Sequence, residues 1–156
     1  MAKSILVGVD NSETALRAAQ RAAELAQAFG AELHVISAFS ASTMESIRSL
    51  QSGQRETAQF EAYQRLIDRY RENAEGIAST VVDTLRLDFP DLQVHSRAIE
   101  GTPAATLLRE SEEVDAGIIV VGNKRVQGPT RILGSIARTV SAEASCDLYI
   151  VNTHNS

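Results

Sequence analysis

From Ser4 to Val9 the chain is an almost unbroken aliphatic and β-branched run, the pattern of a strand buried on both faces of a parallel sheet. Parallel strands need a crossover, and the next segment supplies one. Asn11 and Ser12 can cap a helix, Leu16, Ala19, Ala22, Ala23, Ala26 and Phe29 recur at helical spacing, and Gly30 stops it. Glu32 to Phe39 is a second apolar run, which the right-handed crossover rule sets beside the first. Ser40 to Arg55 is rich in Ser, Gln and Gly without a sustained apolar period and reads as a surface loop.

From Glu56 to about Leu87 the apolar positions, among them Phe60, Tyr63, Ile67, Tyr70, Ala74 and Val81, predict one long amphipathic helix whose aromatic stripe packs on the sheet. Phe89-Pro90 ends it, and Leu92 to Ile99 alternates apolar and polar residues as a strand near a sheet edge does. At Gly101-Thr102-Pro103 a third helix opens, with Thr102 as cap, Pro103 in the first turn, and Ala105, Leu107 and Leu108 facing inward. Ala116 to Val121 is a fourth strand ending at Gly122. Ile136, Val140 and Ala144 mark a last helix starting near Gly134-Ser135, and Asp147 to Asn152 is a fifth strand. Strictly alternating strands and helices predict a three-layer, doubly wound, Rossmann-like α/β fold. Its parallel five-stranded sheet has the order 3-2-1-4-5 and fills one domain over residues 1–156.

Composition narrows the function. A net charge of −5 provides no global positive field for the phosphates of a long nucleic acid, which argues against DNA or RNA as partner. The longest apolar runs fall far short of the roughly 20 residues of a membrane helix. Met1-Ala2-Lys3 leads straight into a strand, leaving no room for an apolar signal region, so a cytoplasmic location is the expectation. The single cysteine, Cys146, excludes an intrachain disulfide and a multi-cysteine zinc cluster and reads as a buried thiol.

In doubly wound sheets ligands bind at the carboxyl ends of the strands where the winding reverses. That directs attention to Asp10, to the stretch from Val35 to Ala38, and to the segment from Gly122 to Ser135. The segment from Gly122 to Ser135 carries the strongest chemistry. A helix start leaves backbone amides unpaired and carries a partial positive charge, Gly134 lets a phosphate approach closely, and Ser135 adds a hydroxyl donor. Lys124, Arg125 and Arg131 concentrate three cations in an otherwise acidic chain. A long capped loop with solvated charges is the competing structural reading. Asp10 is positioned to accept from a ribose or an adenine edge, or to hold a metal beside phosphates; equally, it can cap the first helix.

Other chemistries lack their prompts. No Walker sequence and no Gly-x-Gly-x-x-Gly follows the first strand, and Gly-x-Ser-x-Gly is absent. His34, His95 and His154 show no metal-ligand spacing, so each reads as structural or solvent-facing and no metal site is expected.

Together these residues resemble the universal stress protein family along nearly the whole chain. The resemblance is carried by Ile5-Leu6-Val7-Gly8-Val9-Asp10-Asn11-Ser12, Leu33-His34-Val35-Ile36, Gly101-Thr102-Pro103, and Val120-Val121-Gly122 through Gly134-Ser135. It implies a stress-response role, homodimers through the last strand and, in one subgroup, ATP held by a Gly-x-x-Gly, nine-residue, Gly-Ser/Thr motif. Gly122 matches the first glycine and Gly134-Ser135 the terminal pair, whereas Arg125 replaces the second glycine. Only eight residues, Val126 to Leu133, separate Arg125 from Gly134. By the same resemblance Asp10 is the ribose- or adenine-side carboxylate, the backbone of Val35 meets adenine, and Asn123 sits by the phosphates. Val9, Val121, Lys124 and Ile136 complete the expected site.

Two outcomes follow from Arg125: its guanidinium donates to phosphate and binding survives, or its stem fills the phosphate volume and binding fails. The leading expectation is a regulatory module that binds ATP, or ADP or cyclic AMP, with magnesium accompanying the nucleotide and little or no hydrolysis. A dimeric scaffold or chaperone-like interaction protein without nucleotide is the alternative, and a slow adenine-nucleotide hydrolase with Asp10 holding a metal is a weaker one.

Overall fold

A computed structural model describes residues 2–40, 56–123 and 133–153. The expected loop over residues 41–55 lies outside the described residues, as do Lys124, Arg125 and Arg131. In chain order the elements are β1 (Ser4–Gly8), α1 (Glu13–Phe29), β2 (Glu32–Phe39), α2 (Glu56–Asp88), β3 (Val94–Glu100), α3 (Pro103–Glu113), β4 (Ile118–Gly122), α4 (Ser135–Glu143) and β5 (Asp147–Val151). The five strands are all parallel and form one sheet in the order β3-β2-β1-β4-β5, as the alternation predicts. No described helix is long and apolar enough to cross a membrane.

The central strand β1 is flanked on both sides, Val7 standing opposite Val35 of β2 and Val120 of β4. Its side chains leave alternately to the two faces, which is why the run is apolar throughout. On one face Ile5, Val7, Leu33 and Val35 pack with α1 and with Ala78, Val82 and Leu85 of α2. On the other, Leu6, Ile36 and Ile119 pack with Leu107 of α3 and with Ala137 and Val140 of α4. Each fully buried large aliphatic chain, such as Ile5, Leu6, Leu33 or Ile119, contributes about 1.5–3 kcal/mol of transfer free energy.

Helix α1 presents a stripe of buried alanines, Ala15, Ala18, Ala19, Ala22, Ala23 and Ala26, which lets its backbone lie close to the sheet. Gly30 ends it in the left-handed region at φ 63°, and the Ala31 amide donates to the Ala26 carbonyl at 2.8 Å. Four inward assignments fail. Phe29 is exposed because it occupies the last helical position, past the buried stripe. Phe60 and Tyr70 stay exposed because the amino-terminal half of α2 runs past the sheet, where only a small cluster of Phe39, Ile67 and Ala74 covers it. In α3 the inward positions are Thr106, Leu107 and Glu110, and Ala105 faces out.

Candidate functional site

The sheet order changes direction between β1 and β4: from β1 the chain winds outward to β2 and β3, then returns to β4 and β5. Two neighbouring strands whose connections leave in opposite directions leave a crevice at their carboxyl ends. A cleft of about 340 Å³ occupies that place, within the size range of small-ligand sites.

Each wall follows from local structure. The end of β1 contributes Gly8, Val9 and Asp10, and β4 contributes Val121 and Gly122. From β2 come Ile36 and Ala38, residues two apart and hence on one face of the strand. The start of α1 adds Ser12, Thr14 and Ala15, the start of α3 adds Pro103, Thr106 and Leu107, and α4 adds Gly134 through Ala137. Three helix beginnings therefore converge on one crevice, each with its partial positive end toward it.

The three helices are capped differently. At α1, Ser12 is the N-cap and its Oγ accepts from the Ala15 amide at 3.2 Å. Asp10 Oδ1 accepts from the Ser12 amide at 2.9 Å and from the Ser12 hydroxyl, and Thr14 Oγ1 lies 2.9 Å from Ser12 Oγ. Asp10 thus organises the turn into α1 while its exposed carboxylate lines the cleft. At α3 and α4, Thr102 and Gly134 make no side-chain cap. Among the described residues, the first α4 amide with a backbone acceptor is that of Arg138, which donates to Gly134 at 2.9 Å.

The two motif glycines have different physical reasons. A Cβ on Gly122 would stand 3.3 Å from Thr153 Cγ2 and 3.5 Å from the Thr14 carbonyl oxygen, so this glycine permits close packing of β4 against α1 and the segment after β5. Among the described residues, a Cβ on Gly134 would meet no atom within 4 Å, so none of them makes a packing demand for glycine there.

Of the residues singled out in the sequence, Val9, Asp10, Val121, Gly122, Gly134, Ser135 and Ile136 are brought together around the cleft. Val35 is not among its lining. The side chain is fully buried in the cluster beneath α1 and α2, and β2 reaches the cleft through Ile36 and Ala38, which have the opposite parity. Asn123 also lies outside the lining. Its amide donates to Val151 at 2.9 Å and its carbonyl accepts from Thr153 Oγ1 at 2.8 Å, which fixes the direction in which the chain leaves β4. Arg17 holds the other side of that clamp by donating to the Thr153 carbonyl at 3.0 Å.

Thr14, Thr106, Leu107 and Thr153 were not singled out for the site from sequence. Ser12 and Gly101-Thr102-Pro103 carried a signal as caps, but a lone Thr in a helix or a chain terminus carries none.

A family model described as the universal stress protein family matches residues 1–152. Universal stress protein Rv1636 of Mycobacterium tuberculosis is 30% identical over 159 aligned positions, covering 97% of this chain and 97% of that protein. Universal stress protein MJ0531 of Methanocaldococcus jannaschii is 27% identical over 150, covering 96% of this chain and 81% of that one. Among solved structures, a universal stress protein in complex with cAMP has a TM-score of 0.69 at 26% identity, covering 98% of this chain and 99% of the other. UspA from Lactobacillus plantarum, at 21% identity and a TM-score of 0.72 over 96% of this chain and 97% of its own, shares the fold.

Proposed function

The chain belongs to the universal stress protein family, and from that premise we propose that it is a regulatory module holding an adenine nucleotide in the cleft between β1 and β4, with little or no hydrolysis. The observation that carries this reading is the start of α4: a helix end on the cleft wall whose N-cap glycine has no side chain to cap it, and where among the described residues no atom stands within 4 Å of the place a Cβ would take. Amides left unpaired at such an end suit a phosphate, and the Ser135 hydroxyl adds a donor. Asp10 accepts from the ribose or the adenine edge, which leaves its contacts to Ser12 intact because a carboxylate has about four lone-pair sites. Val9, Ile36, Ala38 and Leu107 supply apolar wall for the base. The cAMP complex of a related protein supports an adenine nucleotide as ligand class.

In this reading Lys124, Arg125 and Arg131 offset the phosphate charge, and the choice among ATP, ADP and cyclic AMP, with or without magnesium, is made around that loop. Binding changes the protein's state only through its difference in affinity between two conformations. A homodimer joined through β5 belongs to the same proposal: β5 is a sheet edge, and its Tyr149 and Ile150 are 40% and 37% exposed. Sedimentation of the purified chain tests it, and a monomer at all concentrations removes it.

Release of bound small molecules by heat, followed by mass spectrometry, together with calorimetric titration of ATP, ADP and cyclic AMP with and without magnesium, tests the nucleotide. Co-purified adenine nucleotide or saturable binding heat is expected. Neither, at millimolar ligand, would leave the dimeric scaffold as the function.

A further inference from the structure

Among the described residues, one cluster of side chains of metal-ligating type lies outside the cleft. The register of β2 and β3 sets His34 directly opposite His95, and Glu32 lies two residues before His34 on the same face of β2. The two imidazoles stack with ring centroids 4.8 Å apart and planes inclined by 20°. Glu32 Oε2 stands 3.7 Å from His34 Nε2 and 3.3 Å from His95 Nε2, and one ligand atom from each of the three residues lies within 4.8 Å of the others.

We infer that Glu32, His34 and His95 form a binding site for a divalent transition-metal ion of the zinc class. Nitrogen and oxygen ligands about 2.0–2.2 Å from a tetrahedral ion stand about 3.3–3.6 Å apart, and both carboxylate-to-imidazole distances are close to that range. Two imidazoles and one carboxylate are a ligand set suited to zinc and its neighbours in the first transition row. Pairing across adjacent strands fixes two of the ligands on a rigid part of the sheet. The side chains of His95 and Glu32 are 49% and 46% exposed, so an ion enters from solvent, whereas His34 at 15% forms the inner wall. With three protein ligands among the described residues, the fourth position is left to water or an external ligand.

The surroundings of His34 favour its neutral imidazole, the form that ligates. Burial, then the neighbouring His95, holds His34 below the ordinary histidine range against the pull of Glu32, and Arg97 acts in the same lowering direction. Arg97 is itself paired to the buried Glu110 at 2.8 Å, so that carboxylate is already engaged. The site shares the β2 face that reaches the cleft at Ile36 but sits at the amino end of the strand, so it does not depend on nucleotide binding.

The test is titration of the tag-free full chain with zinc against a chromophoric chelator, with cobalt absorption as a readout of ligand geometry. We expect one zinc per chain and a visible cobalt spectrum of tetrahedral intensity. His95→Ala and Glu32→Gln, both at exposed groups, should weaken zinc by more than the roughly 10- to 100-fold that loss of an outer-shell partner costs. Circular dichroism melts confirm that each variant folds. His154→Ala and Cys146→Ser should change nothing. No zinc uptake at micromolar free metal would overturn the inference. So would uptake indifferent to both site variants, or uptake that disappears with Cys146 or His154.

Discussion

Gly134→Ala separates binding from folding at a single atom. The residue is the N-cap of α4 at φ −58° and ψ 156°, a conformation alanine adopts without strain, and among the described residues the added Cβ meets no atom within 4 Å. Alanine is a poorer N-cap than glycine by several tenths of a kcal/mol, while its stiffer unfolded chain returns about 0.4–1 kcal/mol. The melting temperature should therefore hardly move. If the α4 amides receive a phosphate, the methyl stands in its approach and removes at least one hydrogen bond to a charged group, worth about 1.5–3 kcal/mol, or roughly 10- to 150-fold in Kd.

Gly122→Ala is the matched control. Its Cβ would stand 3.3 Å from Thr153 Cγ2, so that methyl must give by a few tenths of an ångström, and the effect falls on stability, with a cost of up to about 1–3 kcal/mol where the Thr153 clamp holds it in place. Calorimetric titration and thermal melts on both variants read the two effects apart. A folded Gly134→Ala protein with undiminished nucleotide affinity would refute the assignment of phosphate to this helix start.

Three further outcomes are expected. Ser135→Ala should weaken nucleotide binding by about 0.5–1.5 kcal/mol with an unchanged melt, and unaltered affinity would remove this hydroxyl from the site. Ser12→Ala removes the acceptor for the Ala15 amide and a donor to Asp10, and should cost about 0.5–2 kcal/mol of folding stability in denaturant titrations; a loss near zero would mean that Asp10 or Thr14 takes over the cap. For Cys146, burial and then Asp147 push the thiol above its ordinary range against weaker opposing hydrogen bonds. Less thiolate exists at a given pH, so alkylation should be slower in the native protein than in the unfolded chain and its pH profile should lie higher; equal native and unfolded profiles would contradict this.

The fold was readable because its signals are local and mutually consistent. Ile5 to Val9 and Ile118 to Val121 are apolar on both parities, the alanine stripe of α1 has helical period, and Gly30 and Pro103 punctuate their helices. Burial on α2 was misread at Phe60 and Tyr70 because a periodic stripe shows which residues share a face, but not how far the sheet beneath that face extends. The resemblance points to the backbone of Val35, while alternation along β2 sends its side chain to the core and brings the side chains of Ile36 and Ala38 to the cleft. His34 and His95 are 61 positions apart in sequence, and only the β2–β3 register makes them neighbours. Thr153 was invisible for the same reason: its partners, Asn123 and Arg17, come from distant parts of the chain.

The departures from the family motif are confined to what lies between two independently anchored points. Asn123 is tied by its amide and carbonyl to Val151 and Thr153, and the chain enters that clamp because Gly122 lets β4 lie close to α1. At the far side α4 is held by Ala137 and Val140, both buried against the β4 face, which sets the position of Gly134 and its amides without reference to the preceding loop. A glycine at position 125 and a ninth spacer residue are thus not required to aim the start of α4 into the cleft. Under the proposed nucleotide function, a charge at position 125 would act on the affinity for phosphate, the place of the α4 amides being set by the packing of Ala137 and Val140.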